Sequence, residues 1–453
     1  MAKVKNLVIR LLVFLLMAAV VEAGARYFEP RLRKPKVDLL MTMQPYLMFT
    51  ANSGGGFKWL NVLDHNKVIP STMVFNNYGF SEAFDYTMVP DEEYLARYGK
   101  KPGEKIVLLT GGSVVHGVGA TGNDKTIAAR MQHYLNKNGG GTKWRVINIA
   151  MGSWIAYQQF LGLSLFGLPF NPDWVVSMDG HNDAAVPCAH GSGVANPLGW
   201  PHVLYMEQGG MDADTHQGPL QRAARYSATV RVLTGVDAAR VHEKPIPTGL
   251  IRDAEDPDPR FLIKLANLTF SAQDQQLAFY LQSERDVLAL FSKANVVMST
   301  QPVMYDNALG LAYRKAFAPG ATKKDLAELE HDDDDYMGKH RQDKCGSQLS
   351  SPLLGYFLGK SADRLKDLME QGQAADHSRK LLYYNTEWSM PPEVDLRRPF
   401  FIDNAHMSDR GQDRVGEFFA DIVLSGERNK DFDFAAFVDR HRQPSPVDAR
   451  ASN

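Results

Sequence analysis

The sequence predicts an α/β fold, a doubly wound parallel sheet flanked by helices on both faces and interrupted by large insertions. Three observations predict it. From Lys105 onward, short apolar runs of strand length alternate with segments of helical periodicity, the pattern of a sheet buried on both sides. Several of those runs stop at a glycine-bearing turn, as strands do where a sheet edge faces a ligand. The chain has 453 residues, 44% apolar and 23% charged, which allows one large α/β domain with insertions or two domains.

The elements follow in order. Residues 1–25 read as a signal peptide or signal anchor. Lys3, Lys5 and Arg10 form a basic flank, and Leu11 to Val21 is an unbroken apolar run. That run is short for a full span of about 20 residues. The small residues Ala23, Gly24 and Ala25 offer a cleavage site beside Glu22. The basic flank should stay inside and the body should be exported, to the periplasmic or extracellular side, with membrane contact through this segment. The competing reading is a buried N-terminal helix. Residues 26–100 read as an extension of short strands and loops, being rich in Pro, Gly, Asn and aromatics.

Residues 101–426 form the main domain. "KIVLLT" (105–110), "WRVINIA" (144–150), "PDWVVSM" (172–178) and "ANVVMSTQPV" (294–303) predict strands. "DKTIAARMQHYLNKNGG" predicts a helix, with Ile127, Met131 and Leu135 four apart and glycines as a stop. "SWIAYQQFLGLSLF" predicts another. "SAQDQQLAFYLQSERDVLALFSK" places Leu277, Leu281, Leu288 and Phe291 on one face, and Val415, Phe418, Phe419, Ile422 and Val423 mark a last helix. Insertions are expected at about 186–267 and 317–376, and a polar, mostly unpatterned tail at 427–453. The acidic run "HDDDD" within the second insertion lacks the glycine-punctuated spacing of a calcium loop and reads as a solvated face. Cys188 and Cys345 have no CxxC partner, so zinc or thioredoxin-like chemistry has no support; they are one disulfide or two separate thiols. No metal or organic cofactor is called for. A net charge of −2 gives no sign of a nucleic-acid surface.

The chemistry centres on "IVLLTGGSVVHGVGATG". Ser113 follows a strand, between glycines, where its hydroxyl can stand above the sheet edge. Gly117-x-Gly119-x-x-Gly122 could instead cradle a phosphate. Such a fingerprint begins at the strand's end, however, and here six residues intervene after Thr110. A nucleophilic serine needs a base, an orienting carboxylate and an oxyanion hole. "FIDNAHMSDRG" places Asp403 three residues before His406, close enough for the carboxylate to fix the imidazole while the ring faces the serine. Gly152, after "VINIA", leaves room for a ligand against its N–H. Asn182, after "VVSMDG", offers a side-chain amide to the same point. His116 and His181 flank the serine and asparagine turns and are candidates for substrate contact, with a structural histidine as the alternative; Trp154 and Tyr157 could line an acyl or sugar subsite, with core or rim packing as the default for such aromatics. Asp183 reads as a brace for its own turn.

These four blocks in this order resemble the SGNH/GDSL hydrolase family: Gly111-Gly112-Ser113, then Gly152, then Gly180-His181-Asn182-Asp183, then Asp403-Asn404-Ala405-His406. The resemblance spans about residues 105–425. It implies a flavodoxin-like three-layer sandwich, with Ser113 as nucleophile, His406 as base and Asp403 as its orienting acid. It further implies an oxyanion hole of the Ser113 N–H, the Gly152 N–H and the Asn182 side chain. One departure stands out: the family usually has Asp before the serine, and here it is Gly112. The resulting expectation is an exported serine esterase acting on acyl esters, O-acyl groups on an envelope glycan among them. The alternatives are an O-acyltransferase using the same serine and a non-catalytic binding or assembly protein on the same scaffold.

Overall fold

A computed structural model of the chain describes residues 2–32, most of 41–70, 71–184, 227–234, 259–304 and 352–442 apart from 392, 393 and 404. Cys188, Cys345 and the "HDDDD" run lie outside the described residues, as does most of both expected insertions. The chain divides into two compact units. One comprises Met1–Met41 with Pro201–Thr248, and the other Thr42–Trp200 with Gly249–Asn453.

The larger unit is built on five strands: β1 (Glu104–Gly111), β2 (Lys143–Ala150), β3 (Trp174–Asp179), β4 (Asn295–Thr300) and β5 (Leu381–Tyr383). Their order across the sheet is β5-β4-β3-β1-β2, and all neighbours are parallel. Burial on both faces explains the composition of the strands. Ile106, Val107, Leu108 and Leu109 are all fully buried, as are Val175, Val176 and Met178. One face packs on α1 (Ile127–Asn138) and α5 (Asp409–Glu427), where Val107, Leu109 and Val176 share a core with Met131, Leu135, Val415, Phe418 and Phe419. Further helices include α2 (Ala156–Gly162), α3 (Pro259–Leu290) and α4 (Pro352–Ala375). This is the expected three-layer α/β sandwich. Strand β5 has only three residues, too few for a periodic signal in the sequence.

The caps follow the sequence chemistry. Thr126 accepts from the Ala129 N–H at the start of α1, and Ser408 accepts from the Gly411 N–H at the start of α5. The segment 71–86 closes the exposed side of the edge strand β2: Glu82 accepts from the Asn148 N–H at 2.5 Å, and the Tyr86 hydroxyl donates to the Asn148 carbonyl at 3.0 Å. Upstream, Trp59 and Ser71 both donate to the Ala120 carbonyl, at 2.7 and 2.8 Å. The residues before 101 therefore hold the main sheet and the serine loop together.

Three features differ from expectation. The second irregular stretch ends in α4, whose Phe357 and Leu358 are buried. The tail is not unpatterned: Phe434–Arg442 is a helix that buries Phe437 against Phe418, at 5.3 Å between ring centres. In the smaller unit, Ala2–Leu32 is one continuous helix that runs through the expected boundary at residue 25. Its Leu11, Phe14, Leu16, Met17 and Val20 are exposed, so it is not a buried helix. No helix among the described residues is long and apolar enough to cross a membrane. Glu22, awkward as a neighbour of a cleavage site, pairs with Arg26 and accepts from Ser227 Oγ and the Thr229 N–H.

Candidate active site

The site lies at the carboxyl edge of the sheet, where the order reverses around β1 and a crevice is expected. Strand β1 ends at Gly111. Gly112 is extended, and Ser113 opens a single helical turn, Ser113–His116, closed by Gly117 in the left-handed region (φ 106°). The serine hydroxyl thus stands just beyond the strand. Its N–H belongs to the first turn, where no intrahelical carbonyl reaches it.

His406 arrives on a tight hairpin rather than a helical turn. An isolated antiparallel bridge joins Phe401 to Met407, and the Ile402 N–H donates to the His406 carbonyl at 2.9 Å. Inside it, Asp403 Oδ1 accepts from the Ala405 and His406 N–H groups at 2.8 and 2.6 Å, while Oδ2 meets His406 Nδ1 at 2.7 Å. The other ring nitrogen, Nε2, lies 2.8 Å from Ser113 Oγ. Burial opposes ionisation of Asp403, but the His406 ring and the two backbone donors outweigh it and hold its carboxyl below the usual range. An ionised carboxylate on Nδ1 fixes the tautomer that leaves Nε2 free to accept a proton. One side chain ties this hairpin to the serine loop. The fully buried Gln412 accepts from the Ile127 N–H at 3.0 Å and donates to the Val114 carbonyl at 3.2 Å. Asp409 adds two bonds to Thr121, at 2.8 and 2.6 Å. Sequence inspection did not single out either residue; both sit in polar helix-start sequence without a motif.

The other two blocks converge on the same point. Gly152 follows β2 by two residues, and Ser153 beside it is held at φ 63°, a left-handed conformation costly for a residue with a side chain. Asn182 follows β3, after Gly180 (φ 93°), and its Nδ2 donates to the Trp154 carbonyl at 2.8 Å. The asparagine amide therefore bridges from its own turn to the Gly152 turn. A β-carbon on Gly112 would stand 2.8 Å from Asn182 Nδ2. A side chain at 112 would therefore press on the tip of this amide.

The remaining candidates are placed differently. Trp154 is fully buried and packs edge-on to Phe80, so its ring is a core group and no subsite wall. His116 is buried, stacks on Phe75 and bonds the Gly79 carbonyl at 2.8 Å; burial holds its pKa down to about 4, and it is a neutral structural histidine. His181 is also buried and neutral, held down to about 4 by burial and by the neighbouring His406. Its Nε2 has no hydrogen-bond partner. Tyr157 is half-buried and packs on Phe279 of α3. Asp183 braces its turn, accepting from the Ala156 N–H and Gln276 Nε2, both at 3.1 Å. No cluster of metal-binding side chains occurs among the described residues.

No protein-family model matches the sequence, and no curated protein matches it. Among solved structures, the chain is similar to a GDSL-like lipase from Bacteroides thetaiotaomicron at 11% identity and a TM-score of 0.34, over 74% of this chain and 95% of that one. It is also similar to a catalytic mutant of an acetylxylan esterase from Geobacillus stearothermophilus at 12% identity and a TM-score of 0.32, over 71% of this chain and 94% of that one. Both are distant likenesses, and the chemistry is read from the side chains themselves.

Proposed function

We propose that the chain is a serine esterase of the SGNH/GDSL kind that cleaves acyl esters through an acyl-enzyme. The observation that carries this reading is the run from Ser113 Oγ through His406 to Asp403, at 2.8 and 2.7 Å, assembled from residues 293 positions apart. A hydroxyl, an imidazole and a carboxylate so aligned suit proton transfer off the serine as it attacks a carbonyl. His406 takes the Ser113 proton through Nε2 and returns it to the leaving alkoxide. Water then attacks the acyl-serine, His406 accepts the water proton, and the acid leaves as the serine is re-protonated. The negative oxygen of each tetrahedral intermediate is assigned to the Ser113 N–H, the Gly152 N–H and Asn182 Nδ2. No step in this scheme calls for a metal or organic cofactor.

Acyl groups on an envelope glycan are the proposed substrate class, from the proposed location. The exposed apolar residues of Ala2–Leu32 beside Lys3, Lys5 and Arg10 support an exported body tethered at its N-terminus. Transfer of the acyl group to a sugar hydroxyl in place of water uses the same serine and is separated from hydrolysis by adding the glycan. The test is covalent labelling of the folded protein with a fluorophosphonate, read by peptide mass mapping. A single adduct on Ser113, lost in Ser113→Ala, is expected. A folded protein that takes no adduct would favour the non-catalytic reading.

A further inference from the structure

Behind the asparagine turn lies a group of buried acids that the proposed reaction does not use. Asp179 is the last residue of β3, Asp183 closes the turn, and Glu284 comes from α3; all three are buried. Asp179 accepts from the Tyr280 hydroxyl at 2.6 Å and from Ser177 Oγ at 3.1 Å, and Glu284 follows Tyr280 by one turn on α3. Neighbouring buried carboxyl groups repel strongly if both ionise, so a proton kept on one of them is the stable arrangement. A second observation points the same way: Glu284 Oε2 is buried with no hydrogen-bond partner. That is tolerable for the carbonyl oxygen of a neutral acid and very costly for a carboxylate.

The groups facing this pair come from several elements. Strand β3 gives Ser177 and Asp179, the turn gives Asp183 with Gln276 bonded to it, and α3 gives Tyr280 and Glu284. Helix α4 brings Phe357 onto Tyr280 and Leu358 and Ser361 against Gly180, none of them ionisable. The interactions acting on the three acids come from one another, from Tyr280 and Ser177, from Gln276 and from backbone N–H groups, so their charges are uncompensated. Burial raises all three pKa values, and the mutual repulsion of Asp179 and Asp183 raises that of Asp183 further.

We propose that Asp179 and Glu284 hold one proton between them and that this protonated pair positions Asn182, a role that rests on the esterase reading of the site. The turn that carries Asn182 is anchored at both ends by this group. Asp179 fixes its start, and the Ala184 N–H donates back to the Gly180 carbonyl at 3.0 Å. Asp183 fixes its end through Ala156 and Gln276. Loss of the shared proton places two carboxylates in contact, with Asp183 as a third charge nearby. Repulsion then drives α3 and the turn apart and moves Asn182 off the oxyanion position. Asp179 and Glu284 are positioning residues and touch no reacting atom.

The test compares the full chain with Glu284→Gln, which keeps the shape and a donor but cannot ionise. Two quantities are followed against pH: the rate of fluorophosphonate labelling at Ser113, and Tm. Wild type should lose about tenfold or more of its labelling rate on an alkaline limb, as expected when an oxyanion donor is displaced. Its Tm should fall over the same range. Glu284→Gln should label within a few-fold of wild type at neutral pH and lack both the limb and the fall. An unchanged limb in Glu284→Gln would overturn the proposal. So would failure of that variant to fold, because a neutral amide replaces a group argued to be neutral. If folded wild type takes no label at any pH, the esterase reading and the positioning role fall together, while the Tm comparison still decides whether the proton is shared.

Discussion

Gly112→Ala tests the site at the residue that precedes the proposed nucleophile. The added β-carbon would lie 2.8 Å from Asn182 Nδ2. Relaxing that contact to van der Waals separation needs a shift of about 0.6 Å or more. The Asn182 amide must then leave its 2.8 Å bond to the Trp154 carbonyl and the position from which it meets the oxyanion. Losing one oxyanion donor outright costs about 10²–10³ in kcat, or about 3–4 kcal/mol, so partial displacement should cost about 10- to 100-fold with KM little changed. Stability should not follow. Gly112 has φ −82° and ψ −154°, which alanine adopts freely, and the stiffer unfolded chain contributes about 0.4–1 kcal/mol in favour of folding. The assay is hydrolysis of a small activated acetate ester by wild type, Gly112→Ala, Asn182→Ala and the double variant, with Tm measured for each. If the displacement acts through Asn182, Gly112→Ala costs almost nothing further once Asn182 is gone. Full additivity of the two losses, or wild-type kcat in Gly112→Ala, would refute the reasoning.

Asp403→Asn should keep the hairpin yet lower kcat by about 10⁴, because an amide does not hold the His406 tautomer; steady-state kinetics checks it. The Asp403 carboxyl titrates below its ordinary value in the fold. Its stabilising contribution is therefore present above the unfolded value of about 3.9 and is lost as pH falls through the lower folded value. A Tm series below about pH 4 should show an acid-dependent loss in wild type that Asp403→Asn lacks. Glu82 behaves oppositely: burial pushes its pKa up to about 7, against the lowering effect of the Asn148 N–H. Its contribution is full below the unfolded value and is lost as pH rises toward 7, so Glu82→Gln should raise Tm relative to wild type at pH 8 and not at pH 4. Gln412→Leu removes the link between the His406 hairpin helix and the serine loop and leaves the buried Ile127 N–H and Val114 carbonyl short of a partner. A loss of about 2–4 kcal/mol is expected in urea unfolding, with a fall in kcat at temperatures where the variant stays folded.

The sheet was legible because its strands are buried on both faces. Runs such as Val107 to Leu109 and Trp174 to Val176 must be apolar throughout, and that composition survives in the sequence. The four site blocks were legible for a related reason: a turn at a strand's end needs glycine or asparagine, and those residues stand out against apolar neighbours. Strand β5 and the helix Phe434–Arg442 were not legible. The first is too short for a period, and the second is a single short apolar run, Phe434 to Val438, followed by polar residues, too brief to show a helical period. Trp154 and His116 take the structural side of their two alternatives, which sequence could not decide because proximity to Gly152 and Ser113 says nothing about which way a side chain points. Both point inward, onto the Phe75–Phe80 segment. That segment precedes the main domain, and no pattern around either residue announces it.

The same segment explains how a serine loop can work without an acidic residue before the nucleophile. With glycine at 112 the loop has one fewer side chain to bond with, so its position must be set from outside. Three attachments do this from three directions. His116 bonds the Gly79 carbonyl, Ala120 accepts from Trp59 and Ser71, and Gln412 reaches the Val114 carbonyl from α5. The first two come from residues 59–79, upstream of the sheet. Two of them meet backbone carbonyls of the loop and the first uses the His116 ring, so none needs a particular side chain at 112. The residues before 101 are on this view part of the catalytic scaffold. A chain beginning at Lys101 should then fold less stably and label at Ser113 far more slowly than one that retains residues 42–100, even though every member of the proposed triad and oxyanion hole is still present.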